Sequence, residues 1–209
     1  MDMMDIQAMF SGPDGAYRFA RWRRPIVPVV FGVEDATLAV FKGAFQAVCH
    51  VAGHDMAETD AEMGANLMVF FCRDWAELGQ VPGLDQLIPD LAGLVRRLTE
   101  AGANQYRGFR HESDGAIRAG FVLLRLDDRM SSIPAEVIAL TQAVQVILLW
   151  GNQAFDALPA LTVTEGRAVL SPDIARLIRA AYDRVLPDAS NDPSHALRLS
   201  ARLASSPSQ

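Results

Sequence analysis

The sequence predicts an α+β fold, a small mixed sheet with helices packed on it. Three observations lead there. Apolar runs of strand length occur at 25–31 (PIVPVVF), 65–72 (ANLMVFFC) and 115–127 (GAIRAGFVLLRLD), separated by segments of helical period. An apolar stretch at 137–150 (VIALTQAVQVILLW) reads as a core helix of about 134–150. Two helical segments follow the last of these strands.

Each element has a local reason. SGPDG at 11–15 is a turn that separates an N-terminal segment, 1–15, from a single domain spanning 16–187. Pro25 and Pro28 place the first strand at an edge or a strand start, because proline cannot donate to a ladder. Leu38, Phe41, Phe45, Val48 and Ala52 recur near helical period across 36–53. The near-continuous apolar run at 65–72 suits a central strand covered on both faces. A short helix and loop follow, then a helix over 91–102 with Arg96 and Arg97 late and Gly102 as its stop. HESDG at 111–115 is a hairpin turn before the strand at 115–127. Ser132 and Pro134 mark the start of the core helix, and Ser171-Pro172-Asp173 opens another. The stretch 188–209 is polar and rich in small residues, so a partly disordered tail is expected.

Composition narrows the function classes. The chain has 209 residues, of which 50% are hydrophobic and 21% charged, the balance of a globular domain. A net charge of −6 argues against a general nucleic-acid binder. The core helix carries Gln142 and Gln145 and is too short to span a bilayer, so no membrane span is expected. Asp2 and Asp5 stand where a secretory signal would be basic. The chain as written is therefore expected in the cytoplasm, or in the periplasm if a leader has been removed. Its two cysteines make no disulfide framework.

Four stretches hold residues capable of chemistry. CHVAGHDMAE at 49–58 sets His50 and His54 four apart, the spacing of a helical zinc site. Gly53 between them is a helix stop that turns His54 off the face carrying His50, and Val51 stands where a zincin helix needs its glutamate. These two histidines are candidate metal ligands, but the expected metal set is none. RFARWRRP at 18–25 places arginines around Trp22 and is read as a solvated approach to the first strand, with Trp22 folded back as an anchor. HESDG holds triad residue types, but as sequence neighbours, and triads assemble in space. LDDR at 126–129 is read as a capping loop. No catalytic or cofactor-binding set emerges, and no glycine-rich phosphate loop or CxxC pair is present.

Three segments together resemble the bacterial domain-of-unknown-function family 2927: RWRRPIVPVVFG, ANLMVFF, and the run from GFVLLRLDD through LTQAV to LSPDIARLIRAAYD. The similarity includes a Trp-x-x-Pro-Ile strand (Trp22, Pro25, Ile26), an Asn-led strand (Asn66 to Val69), and an Asp-Leu-Arg-Tyr-Asp segment. In that segment Asp173, Leu177, Tyr182 and Asp183 match, while Arg179 stands one place late. The resemblance implies a zincin-like scaffold related to metallopeptidases, usually exported. It also implies a helix bearing His-Glu-Glu-x-x-Gln, and here Gln142 aligns while Val137 and Ile138 replace the histidine and glutamate. Hydrocarbon side chains cannot ligate zinc or accept a proton from water. The expectation is a non-catalytic binding or assembly module with a degenerate zincin-like fold and no cofactor, acting through an unknown protein partner or by self-association. The alternative is a metal-dependent hydrolase using His50, His54 or His111.

Overall fold

The computed structural model describes residues 3–156 and 158–205. Its framework is a four-stranded mixed sheet of β2 (Pro28–Phe31), β3 (Leu67–Cys72), β5 (Ile117–Arg125) and β4 (Gln105–His111), in that spatial order. The pairs β2–β3 and β3–β5 are parallel, and β4 returns antiparallel to β5. The α+β class expected from the sequence is therefore the observed one.

Both faces of the sheet are covered, and strand parity decides what each side chain meets. On β3, Leu67 and Val69 enter the larger core, while Met68, Phe70 and Cys72 enter the smaller one. That two-sided burial is why the run reads as continuously apolar. The larger core is built with α2 (Asp35–Ala52), α6 (Ala135–Ile147) and α7 (Pro172–Ala181). The smaller core lies under a 3₁₀ helix (Trp75–Gln80), α3 (Leu84–Leu87) and α4 (Leu91–Glu100). Phe41 and Phe45 of α2 are 0% and 2% exposed, each a burial of about 2–3 kcal/mol. A short helix α5 (Asp128–Ser131) follows β5, and a hairpin of β6 (Leu161–Thr164) and β7 (Arg167–Leu170) lies between α6 and α7.

Several expectations need correction. The core helix ends at Ile147 rather than 150, because Leu148 leaves it to bridge Arg21 in extended form. The N-terminal segment is no appendage: α1 (Met3–Met9) packs Ile6 and Met9 into the larger core, with Phe10 just beyond it. The stretch expected as a polar tail carries two further elements within 189–205, and its last residues, 206–209, lie outside the described ones. There β8 (Ala189–Ser190) pairs with β1 (Phe19–Ala20), and α8 (Ser194–Ser205) buries Ala196, Leu199 and Leu203. Spacing of three and four residues gives that helix an apolar stripe despite its polar composition. The domain therefore draws on both ends of the chain as well as on 16–187.

Candidate functional site

The densest polar cluster lies where the segment before β2, the end of α2 and the turn after α7 meet. α2 stops at Gly53, whose φ of 64° is left-handed and costs glycine little. The N–H of His54 closes the helix by donating to Cys49 O at 2.9 Å. His54 then swings under the preceding segment. Its Nε2 lies 2.8 Å from Arg24 O, a carbonyl that can only accept, so Nε2 carries the proton. Its ring sits 5.1 Å from that of Tyr182. Burial lowers the proton affinity of His54, partly opposed by that bond.

Arg21 is the hub. The sequence expectation put all of the arginines around Trp22 in a solvated segment, yet Arg21 is 6% exposed. Its Nε donates to Asp188 Oδ1 at 2.8 Å, Nη1 to the carbonyls of Ala181 and Asp183, and Nη2 to Leu186 O at 2.9 Å. These carbonyls cluster where α7 ends, and a cation at a helix C-terminus is electrostatically favoured. Asp188 is pushed up by burial, but bonds from Arg23 and Arg21 outweigh that and hold its carboxyl below the usual range. Trp22, 1% exposed, donates Nε1–H to Val146 O at 2.7 Å, so the expected anchoring role is observed. The Tyr182 hydroxyl donates to Ile147 O at 2.8 Å and accepts from Trp22 N at 3.3 Å.

A shallow cavity of about 230 Å³ opens beside this cluster, lined by Arg21, His54, Asp55, Tyr182, Arg184 and Asp188 among others. Its chemistry is muted. Burial pushes the Cys49 thiol up to about 12 and the Tyr182 hydroxyl well above its ordinary value, so neither is a nucleophilic anion at neutral pH. The donors of Arg21, the Nε2 of His54 and both oxygens of Asp188 are already engaged with the protein itself.

The remaining candidates are scattered. His50 is exposed in the last turn of α2, on the far side of the stop at Gly53. His111 bonds its Nδ1 to Gly115 O at 3.0 Å inside the predicted hairpin turn. The acids of that turn neutralise the arginines: Asp114 pairs with Arg23, and Glu112 lies 3.0 Å from Arg24. Asp127 caps α5, accepting from Met130 N at 2.7 Å, as the capping-loop reading expected. Among the described residues, no three His, Cys, Asp or Glu side chains cluster closely enough to hold a metal ion. The zinc that the family resemblance brings with it does not fit α6: Ile138 is packed in the core at 8% exposure, and Val137 beside it offers no donor atom.

Sequence reasoning missed a second polar cluster, on β4. Arg107 Nη1 donates to Gln142 Oε1 and Gln105 Oε1, both at 3.1 Å, and Gln142 Nε2 donates to Gln105 Oε1 at 3.2 Å. Gln142, 2% exposed, is thus held by an arginine and by Gln105. The strand QYRGFRH carries no β-branched residue, and only the turn signal after it hinted at a partner for β5. Searches against protein-family models, curated proteins and solved structures each returned no match.

Proposed function

We propose that this chain is a non-catalytic binding or assembly module on a degenerate zincin-like scaffold. The observation that carries this reading is the Arg21 cluster. It gathers the residue types an active site would use, a histidine, a tyrosine, a thiol, an aspartate and an arginine. It spends them on closing the fold. A catalytic site holds its groups in protonation states matched to the reaction, whereas here burial raises the thiol and the phenol. The zincin-like ancestry rests on the sequence resemblance, whose motif segments lie together in the fold. Trp22 N bonds Tyr182 OH, and Asn66 bonds Pro25 O and Val27 N.

Metal analysis of protein purified without chelator or histidine tag tests the reading. Substoichiometric metal, unchanged by His54→Ala or His50→Ala, is the expected result. Zinc at one equivalent, lost in either variant together with a peptidase activity, would return the chain to the hydrolase class.

A further inference from the structure

The two edges of the central sheet differ in kind. β2, at one edge, is four residues long and begins with Pro28, which has no N–H to offer. β4, at the other, runs seven residues with no proline and, among the described residues, pairs only with β5. Register shows which of its backbone groups are free. Arg125 N donates to Asn104 O at 2.8 Å, and hydrogen-bonded pairs alternate along an antiparallel ladder. Tyr106 and Gly108 therefore turn their N–H and C=O toward β5, while Gln105, Arg107 and Phe109 turn theirs outward. Gly120 opposes Phe109 and donates its own N–H to Asn66 O, on the far side of β5, which fits the same alternation. Among the described residues, no group bonds the outward N–H or C=O of Gln105, Arg107 or Phe109.

Beside this open ladder lies an unneutralised charge. Arg107 opposes Val122 on the face of the larger core, and its acceptors, Gln105 and Gln142, are neutral amides, with no carboxylate in reach among the described residues. Burial pushes its guanidinium down to about 10, the direction expected of a cation desolvated without a counter-ion. Arg21 and Arg23 have Asp188, and Arg24 has Glu62 and Glu112. The β4 sequence carries Arg107, Arg110 and His111 and no acid, in a chain whose net charge is −6.

We propose that the outer edge of β4 is a docking site for an extended segment of a partner protein bearing an aspartate or glutamate opposite Arg107. This rests on the binding-module reading above and names the chemistry of its partner. An added strand takes up the outward N–H and C=O groups of Gln105, Arg107 and Phe109, the mode of sheet augmentation. Side chains directly opposite across such a pair stand about 4.5–5.5 Å apart at Cβ, so a carboxylate there reaches the guanidinium and supplies its missing counter-charge. A second copy of this chain does not fit. Pairing two β4 edges sets Arg107 against Arg107, or one pair removed from it, on the same face.

The probe is a short, capped, threonine- and valine-alternating peptide with one central glutamate, titrated against the full chain and followed by backbone amide NMR. The expected result is saturable shifts centred on Gln105, Arg107 and Phe109, with their amide exchange slowed. Affinity should fall about tenfold or more when the glutamate becomes lysine and in Arg107→Gln. A peptide N-methylated at alternate amides should not bind, which tests the ladder without altering the protein. Equal binding of the glutamate and lysine peptides would overturn the proposal, as would amides at 105, 107 and 109 already slow to exchange in the free chain. Self-association of Arg107→Gln with no loss of peptide binding would overturn it too, making Arg107 a guard against pairing. These outcomes are separate from the metal analysis: absence of peptide binding in a zinc-free protein sinks the edge alone, and stoichiometric zinc sinks the module reading.

Discussion

Arg21 is buried and Arg107 half-buried, both sit beside the larger core, and they are treated in opposite ways. Arg21 meets a carboxylate and a set of helix-end carbonyls, so its charge is answered and each of its three nitrogens has an acceptor. Among the described residues Arg107 meets only neutral amides, and it stands beside an open strand edge. A desolvated guanidinium cannot shed its proton at physiological pH, so it must be paired or remain costly. The first arginine serves the fold. The second is supported by the fold without being neutralised by it.

The largest expected effect breaks the first half of that comparison. Arg21→Met leaves Asp188 facing the interior with one partner fewer and the last carbonyls of α7 unbonded. It should cost about 3–5 kcal/mol in urea unfolding. Arg21→Lys should recover little of this, because an ammonium cannot reproduce the planar fork.

A buried histidine sharpens the rule by escaping it. His195 is 1% exposed, its Nδ1 lies 2.8 Å from the Tyr17 hydroxyl, and its Nε2 has no partner among the described residues. Burial, with Arg198 and Arg21 nearby and only Asp192 opposing them, lowers its proton affinity to about 4. Histidine can discard its charge where arginine cannot. The unfolded chain takes up this proton near pH 6.5 and the folded one only near 4. The stability contribution is thus intact above about 6.5 and declines as pH falls through that window, by about 3 kcal/mol in total. Denaturation across that range should show the loss in the native chain and a flatter profile in His195→Gln.

Smaller effects surround Arg107. Among the described residues Gln145 Oε1 is buried without a partner, so Gln145→Leu should stabilise the protein by about 1 kcal/mol in thermal unfolding. Arg107→Met removes an uncompensated cation and leaves the Gln142–Gln105 bond in place. It should change stability by no more than about 1 kcal/mol, in either direction.

How much of this was legible depended on how local the cause was. The stop at Gly53 was readable because a helix end is decided within a few residues, and the apolar run of β3 because two-sided burial leaves no alternation to hide. The anchoring of Trp22 was readable from its size and setting. Arg21 was not, since nothing in RFARWRRP distinguishes it from Arg23 or Arg24. Its partner Asp188 lies 167 residues away, and only the tertiary fold brings them together. β4 was hidden because its outward groups are polar and its sequence lacks β-branched residues, and α8 because sparse leucines in a polar stretch read first as composition. The site candidates on 49–58 and 111–115 were visible as residue types. Their actual roles, as partners of the Arg21 segment, were not.

Urea titrations of Arg21→Met and Arg107→Met side by side test the central claim, that the buried Arg21 holds the fold and the half-buried Arg107 does not. The predicted result is a loss of about 3–5 kcal/mol in the first and a change within about 1 kcal/mol in the second, with unchanged slopes. Comparable losses in the two would contradict it, because Arg107 would then be as much a part of the fold's support as Arg21.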